Sequence, residues 1–218
     1  MKEIFNGIFE INGKLYTENL VKSFNPFSEE LINSDKREFR SFDPTRSKLS
    51  AAIMKKIKEV PLSKGSRLIY LGAAHGMTVS HIADIVREKG FIYAIEFSDK
   101  PFSELLPIAN KLRNIAPILA DARKPENYRW VEKVDIVYCD IADPQQTEVA
   151  IRNCREFLKK SGYLMLSIKT QSIDVTKSAK LVTSEEIEKL RKAGFEIIDW
   201  KMLEPFEDKH GFVLARLG

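Results

Sequence analysis

The sequence is poor in residues that form disulfides or bind metals. Its only two cysteines, Cys139 and Cys154, show neither CxxC spacing nor the pattern of a disulfide framework, and each lies in a stretch typical of a small core residue. The three histidines, His75, His81 and His210, have no metal-ligand spacing with one another or with a cysteine pair. We therefore expect no metal site and no disulfide framework.

Long apolar runs are also absent. The first residues, Met-Lys-Glu-Ile-Phe-Asn-Gly, contain no apolar secretory core, and no stretch approaches the roughly 18 apolar residues that a membrane span needs. We accordingly expect a cytoplasmic protein without membrane contact. There is no internal repeat or low-complexity tract. With 218 residues, 44% of them apolar and 30% charged, the chain has the size and composition to bury one sizeable core.

Charge of one sign does not dominate, because the net charge is only +4. Residues 151–180 nevertheless carry seven basic side chains and only two acidic ones. If Lys169 lies at the carboxyl edge of a sheet, part of this excess faces the substrate that enters there. For the segment 152–160, a helix face that is exposed to solvent and contacts no substrate is an equally simple interpretation.

From residue 64 onward the hydrophobic pattern alternates between strands and helices. Strands are predicted at 66–71, 91–96, 115–119, 134–139 and 162–168, and helices at 78–88, 101–112, 145–159 and 184–193. Such alternation indicates an α/β fold with a parallel sheet covered on both faces, whose ligands bind at the carboxyl ends of the strands.

Two further apolar runs, 195–203 and 211–217, flank a short polar turn and predict a closing antiparallel hairpin. This ending resembles the Rossmann-like class I methyltransferase fold rather than a nicotinamide-binding fold. The first 45 residues differ from the rest of the chain in composition, because they contain seven aromatic residues. We predict a small, mostly β N-terminal subdomain at 1–45 and a methyltransferase domain at 46–218.

The most informative segment joins the strand at 66–71 to the helix near Thr78. Gly72 and Gly76 allow the backbone to turn sharply and to approach a ligand, and the start of the helix offers free N–H groups. Glu96 stands 20 residues beyond Gly76 at the end of the next strand, where an acidic residue binds ribose hydroxyls. This spacing favours a nucleotide-cofactor site, with a plain structural turn as the alternative.

Polar residues follow the later strands. Asp140 and Lys169 each end a predicted strand, His210 lies in the predicted hairpin turn, and Lys48 precedes a helix predicted at 49–57. Methyl transfer to a hydroxyl needs in-line geometry and a group that takes the proton, and a lysine beside a cationic sulfonium can act as that base. By context alone, Asp140 also suits a helix cap, Lys169 a solvated strand end, and His210 an incidental turn residue.

Several motifs, in order along nearly the whole chain, together resemble the fibrillarin-like RNA 2′-O-methyltransferases. They are Asp43-Pro-Thr-Arg-Ser-Lys-Leu-Ser, Tyr70-Leu-Gly-Ala-Ala with Gly76 and Thr78-Val-Ser-His, Tyr93-Ala-Ile-Glu-Phe-Ser, Asp121-Ala-Arg-Lys-Pro, Asp140-Ile-Ala with Pro144, Ser167-Ile-Lys with Ser172-Ile-Asp-Val-Thr, and Glu204-Pro-Phe-Glu with His210.

This resemblance implies S-adenosylmethionine as cofactor and 2′-O-methylation of ribose in ribosomal RNA, with transfer RNA as a further substrate. The catalytic set of the family falls on Lys48, Asp140, Lys169 and His210. Together with the glycine turn, the resemblance predicts cofactor contacts at Gly72, Ala73, Gly76, Thr78, Val79, Glu96, Phe97, Asp121, Ala122, Asp140, Ile141, Ala142 and Asp143.

The chain departs from the family pattern at three positions. His75 and Met77 replace the Ser and Thr that often follow the first glycine turn, and Asp143 stands where Gln is usual. There is no Gly/Arg-rich N-terminal extension, so the chain resembles the archaeal members. Their setting implies a box C/D guide RNA, a Nop-domain scaffold protein and a kink-turn-binding protein of ribosomal type as partners.

Two other functions are alternatives to guided RNA methylation. One is a stand-alone methyltransferase of the same fold, acting on another RNA position or a small molecule, and the other is a non-catalytic cofactor-binding subunit.

Overall fold

Two β-sheets of different character make up the molecule. The computed structural model describes residues 1–218. The strands are β1 (Lys2–Phe5), β2 (Ile8–Ile11), β3 (Lys14–Glu18), β4 (Leu31–Ser34), β5 (Arg37–Ser41), β6 (Arg67–Leu71), β7 (Phe91–Glu96), β8 (Ile115–Leu119), β9 (Val134–Cys139), β10 (Leu158–Lys169), β11 (Phe195–Met202) and β12 (His210–Leu217). The helices are α1 (Lys48–Met54), α2 (Met77–Val86), α3 (Asp99–Leu112), α4 (Gln146–Phe157), α5 (Thr170–Ile173) and α6 (Ala179–Lys192), with a 3-10 turn at Pro125–Tyr128.

The larger sheet has seven strands in the order β11-β12-β10-β9-β6-β7-β8. Strands β10, β9, β6, β7 and β8 run parallel, whereas β12 pairs antiparallel with both β10 and β11. The strand order reverses at β6, whose neighbours are β7 and β9, and the crevice at such a reversal is where open α/β sheets bind ligands. The predicted parallel sheet and its closing hairpin are confirmed.

Helices cover both faces of this sheet. Successive residues of a strand point to opposite faces, and in β6 the side chains of Leu68 and Tyr70 join one buried cluster while those of Ile69 and Leu71 join another. The first cluster includes residues of α1, α2 and α3, and the second includes residues of α4 and α6. Burial on both faces explains why the strands read as continuous apolar runs.

Some predicted boundaries were wrong. Helix α6 begins at Ala179 rather than at 184, because Ser178 caps it by accepting a hydrogen bond from the Leu181 N–H and Val182 packs in the core. Strand β10 begins at Leu158, directly after α4, and its pairing with β9 is interrupted before Tyr163.

Two site residues also lie elsewhere in their elements than predicted. Lys48 is the first residue of α1 rather than the residue before it, and α1 ends at Met54 rather than at 57. His210 begins β12, where it pairs with Lys169, and so it is a strand residue rather than a turn residue.

No helix of the structure has both the length and the apolar composition that crossing a membrane requires.

The first five strands form a separate antiparallel sheet in the order β1-β2-β3-β5-β4, as the N-terminal pattern predicts. Phe9, Tyr16 and Phe39 are buried together in a small core of this sheet. Ile8 and Phe42, in contrast, belong to the large cluster under the seven-stranded sheet. The division of the chain at residue 45 therefore stays a prediction, since part of the N-terminal core is continuous with the main one.

A buried ion cluster joins the N-terminal sheet to α2. The guanidinium group of Arg40 on β5 is fully buried; it donates to Asp84 Oδ2 at 2.9 and 3.1 Å, to Glu29 Oε1 at 2.7 Å and to Ser80 Oγ at 3.2 Å. Asp84 also accepts from the hydroxyl of Thr17 at 2.8 Å. A charge removed from water at this depth is tolerated only with such complete pairing.

His81 completes the cluster as a neutral ring. The single hydroxyl proton of Thr17 is donated to Asp84, so His81 Nδ1, at 2.9 Å from the same hydroxyl, is the donor of that contact. Burial, reinforced by the charges of Arg40 and Arg46, holds the pKa of His81 well below its usual range. Burial also raises the pKa of Asp84, against the opposing effect of Arg40.

We expect Arg40→Met to lower the free energy of unfolding by about 3–5 kcal/mol, because Glu29 and Asp84 would be left buried without their partner. Chemical denaturation of both forms measures the difference. The control is Arg37→Met on the same strand, whose pair with Glu18 at 3.4 Å is solvent-exposed and should be worth less than about 1 kcal/mol. Equal losses in the two variants would contradict this role of Arg40.

Candidate active site

A cavity of about 380 Å³ opens at the carboxyl ends of β6, β7 and β9. Nine of the thirteen residues predicted to contact the cofactor line it. They are Gly72, Glu96, Phe97, Asp121, Ala122, Asp140, Ile141, Ala142 and Asp143. The catalytic candidate Lys169 lines the same cavity, so the sheet brings together residues that are almost 100 positions apart in the sequence.

The turn after β6 forms one wall of the cavity. Gly72 has a φ of +80°, and a Cβ atom there would lie 2.7 Å from the carbonyl oxygen of Asp140. The N–H groups of Gly72 and Ala73 both donate to Ile95 O at 2.9 Å, which holds the turn against β7. The turn thus requires glycine at position 72 for its backbone conformation and for its close approach to the residue that follows β9.

Glu96, at the end of β7, is a buried carboxylate with a fixed orientation. Its Oε2 atom accepts from the Ala74 N–H at 2.7 Å, and its Oε1 atom accepts from the N–H groups of Phe97 and Ser98 at 2.9 and 2.8 Å. A carboxylate oxygen has about two acceptor sites. Oε2 therefore keeps capacity for one donor from a ligand, as the predicted ribose contact requires.

The far side of the cavity carries an aromatic ring and an ion pair. Phe97 is 67% exposed, unusually for its size, and offers a free face for stacking. Asp121 is held by a forked hydrogen bond from Arg123, with distances of 2.9 to 3.1 Å, and this bond holds the pKa of Asp121 below its usual range. Arg123 Nη1 also lies 4.0 Å from Asp143 Oδ2.

The motifs in the sequence do not single out Arg123, although its position two residues after Asp121, in the loop that follows β8, is a local signal for this ion pair. It bridges the two carboxylates, Asp121 and Asp143, that line the cavity. Asp143 is one of the departures from the family pattern, and its contact with Arg123 gives the acidic side chain a partner here.

Four residues predicted to contact the cofactor do not line the cavity. Ala73 and Gly76 shape the glycine turn, and Gly76 stands immediately before α2 with a φ of +92°. Thr78 is buried and donates to Ser47 Oγ at 3.0 Å, whereas Val79 is fully buried in the core. Their cofactor contacts stay predictions.

Three of the four catalytic candidates form one ion cluster. Asp140 Oδ2 lies 3.4 Å from Lys48 Nζ, and Asp140 Oδ1 lies 3.1 Å from Lys169 Nζ. Lys169 Nζ also donates to the backbone carbonyl of Asp140 at 2.9 Å. Lys48 reaches the cluster from the first turn of α1 and Lys169 from the end of β10, so two separate elements fix the two amines on one carboxylate.

His210 stands beside this cluster on the neighbouring strand, in register with Lys169. Its Nδ1 atom donates to the carbonyl of Asp208 at 2.6 Å, since a carbonyl oxygen only accepts. Nε2 is left without a hydrogen in the neutral ring and is an acceptor. The strand register therefore places His210 at the same edge of the sheet as the other three catalytic candidates.

The two cysteines are buried core residues, as predicted. Burial raises the pKa of the Cys139 thiol to about 12 and also raises that of Cys154. Neither thiol is a nucleophile at neutral pH.

A parallel sheet closed by an antiparallel hairpin, with its ligand cavity where the strand order reverses and a buried acidic residue ending the second parallel strand, is the architecture of the class I S-adenosylmethionine-dependent methyltransferases. The fibrillarin family model matches residues 1–218, the whole chain. The chain belongs to the fibrillarin family.

Individual relatives agree with this assignment. The chain is 47% identical over 204 residues to the fibrillarin-like rRNA/tRNA 2′-O-methyltransferase of Saccharolobus islandicus, which covers 93% of this chain and 88% of that protein. It is similar to the structure of Aeropyrum pernix fibrillarin with natively bound S-adenosyl-L-methionine, with a TM-score of 0.89, 40% identity, and coverage of 97% and 94%. It is also similar to a fibrillarin/Nop5p complex, with a TM-score of 0.92, 37% identity and full coverage of both chains.

Proposed function

We propose that this protein transfers a methyl group from S-adenosylmethionine to the 2′-hydroxyl of ribose in ribosomal and transfer RNA, at positions chosen by a box C/D guide RNA. The observation that carries the proposal is the Lys48–Asp140–Lys169 cluster, which stands at the rim of a cavity already shaped for a nucleoside. The relatives, named as 2′-O-methyltransferases, support the reaction type.

The cavity fits the cofactor by its own chemistry. Glu96 would bind the ribose hydroxyls through the free capacity of Oε2, and Phe97, Asp121 and Ala122 would contact the adenine. Asp121 and Asp143 share the single guanidinium group of Arg123, so this part of the cavity wall keeps an excess negative charge that would favour a cationic ligand group. When bound, S-adenosylmethionine supplies an electrophilic methyl group on a positively charged sulfur.

The ion cluster is suited to moving a proton. Two ammonium groups share one carboxylate, so the cluster carries an excess positive charge. When Lys169 releases its proton to solvent, Lys48 and Asp140 remain as a pair of opposite unit charges. Lys169 in its neutral form then accepts the proton that the ribose hydroxyl loses, at an amine already positioned at the cavity. Asp140 holds both amines in place, and His210 offers a second acceptor beside them.

Cofactor specificity follows from the cavity. We expect calorimetry to show binding of S-adenosylmethionine and of its demethylated product but not of NAD. Glu96→Gln should weaken cofactor binding by about 10- to 100-fold, because a hydrogen bond to a charged group is lost. Glu88→Gln, which changes an exposed glutamate in the turn after α2, serves as the control and should leave binding unchanged. Tight binding of NAD alone would contradict the proposal.

Substitution of Lys169 should lower the rate of methyl transfer without changing the affinity for the cofactor. In the assembled complex we expect Lys169→Ala to lower the single-turnover methylation rate by roughly two to four orders of magnitude, the usual effect of a positioned acid or base, while the cofactor affinity changes little. Lys160→Ala, an exposed lysine without an ion pair at the other end of the same strand, is the matched control. Near-full activity of the Lys169 variant would show that Lys169 is not the general base.

The basic segment 151–180 has few free cationic side chains, which supports guidance by another molecule. Within residues 151–180, Lys159 is paired with Asp135 and Lys177 with Glu185 and Asp174. Arg152, Arg155, Lys160 and Lys180 make no ion pair in the structure. Four such side chains offer few phosphate contacts, and non-specific affinity for RNA depends on the number of these contacts.

The partners in the proposal are a Nop-domain scaffold, as the fibrillarin/Nop5p complex supports, together with a kink-turn-binding ribosomal-type protein, the guide RNA and the target RNA. The aromatic residues of the N-terminal region are one candidate surface for docking of the scaffold, with a small core of their own as the alternative. Phe9, Tyr16, Phe39 and Phe42 are buried, so they serve the protein's own core instead. An archaeal source and a cytoplasmic location stay predictions.

Guide dependence is the sharpest test of this function. We expect the chain alone to methylate target RNA poorly and without site selection, and we expect one ribose to be methylated after scaffold, kink-turn binder and guide RNA are added. Mapping the methyl group in both reactions measures this difference. Efficient site-specific methylation by the chain alone would indicate a stand-alone enzyme, and absence of turnover in the full complex would indicate a non-catalytic subunit.

A further inference from the structure

Gln146, the first residue of α4, makes an unusual set of contacts beside the catalytic cluster. Its side chain is fully buried. The amide oxygen accepts from the Lys169 N–H at 2.9 Å, and the amide nitrogen donates to Lys169 O at 3.3 Å and to Asp143 O at 3.1 Å. One side chain therefore contacts the backbone of the proposed base and that of the loop lining the cofactor cavity.

The strand pattern explains why Lys169 needs this partner. Residue pairs between β9 and β10 end at Cys139 and Leu166, so Lys169 extends three residues beyond the last pair. On the β9 side this strand end has no neighbouring strand, although β12 pairs with its other edge. Backbone N–H and C=O groups that face the β9 side would be unpaired there, and buried backbone groups rarely remain so. The amide of Gln146 has one donor face and one acceptor face, and it bonds both groups as a neighbouring strand would.

This placement matters for the direction of the lysine side chain. Lys169 Nζ reaches both a carboxylate oxygen and the carbonyl oxygen of Asp140, so a small rotation of the backbone at position 169 would move the amine away from the cluster. Misplacing a reacting group by about 1 Å costs on the order of 100-fold in rate. The two hydrogen bonds between the buried amide of Gln146 and the backbone of Lys169 oppose that rotation.

We propose that Gln146 is a positioning residue that sets the orientation of Lys169 by pairing with both of its backbone polar groups. This inference rests on the proposed function, in which Lys169 takes the proton. Gln146 itself does not line the cavity, and it acts through Lys169. Asp143 O also accepts from the backbone N–H of Gln146 at 3.1 Å, so the loop keeps a donor when the side-chain amide is removed.

The test compares Gln146→Met, which keeps the size and removes the amide, with Gln146→Asn, which keeps the amide and shortens its reach by one methylene. In the assembled complex both variants should lower the single-turnover rate by about 10- to 100-fold at saturating RNA. The cofactor affinity should stay within about threefold of the wild-type value. Thr147→Val is the matched control: the residue is adjacent and fully buried, its hydroxyl makes no hydrogen bond, and the rate should not change.

Two further measurements separate positioning from a merely structural role. Combined with Lys169→Ala, Gln146→Met should cause no further loss of rate, since Gln146 acts through Lys169. Amide hydrogen exchange, followed by NMR on the folded chain without RNA, should become faster at Lys169 in both variants and not in Thr147→Val. Additive losses of rate, a parallel fall in the melting temperature and in cofactor affinity, or unchanged exchange at Lys169 would overturn the inference.

Failure of the proposed function has a different signature. If the wild-type complex methylates no ribose, the function is wrong, and the exchange measurement still decides whether Gln146 holds the backbone of Lys169. If the wild-type complex is active and both Gln146 variants keep their rate within about threefold, the positioning role is wrong and the function stands.

Discussion

The buried guanidinium of Arg40 is the interaction on which the arrangement of the two sheets depends. It connects β5 of the N-terminal sheet, Glu29 in the loop before β4, and Asp84 on α2. Helix α2 begins directly after Gly76, at the turn that forms the cofactor wall. The ion cluster therefore fixes a small sheet against the helix that supports the cofactor loop. Since apolar contacts are non-directional, this directional set of bonds specifies the register of the two parts more strictly than packing alone.

The site arises where strands of unequal length end at one edge. Strands β6, β7 and β9 end at the cavity, so that Gly72, Glu96 and Asp140 line it. Strand β10 continues past the end of β9, and its last residue, Lys169, lines the same cavity. His210 arrives on the antiparallel strand β12, which a purely parallel sheet would not place at this edge. In the proposed reaction the closing hairpin thus supplies a site residue as well as completing the sheet.

Much of the fold was predictable from the sequence, because strands buried on both faces leave continuous apolar runs and helices leave a distinct period. Gly72 and Glu96 were predictable from their spacing, but Lys48 and His210 were identified only through the family resemblance, since a lysine before a helix and a histidine near a turn are common. Arg40 was not predictable: it lies in a charged-looking strand, and its burial depends on an acidic partner 44 residues away. Gln146 was missed for the same reason, since it meets the backbone of Lys169 only after folding. Arg123 is different, because its partner Asp121 lies only two residues away.

Rigidity and selectivity reside in different parts of the proposed system. Asp140 and Gln146 restrain Lys169 from two sides, and Glu96 is restrained by three backbone donors, so the reacting and binding groups need little rearrangement before the reaction. None of these restraints reads a nucleotide base, and the few free basic side chains near the site select no sequence. A centre that is fixed for ribose chemistry and indifferent to sequence can act at many positions. Its specificity then has to come from base pairing supplied by another molecule.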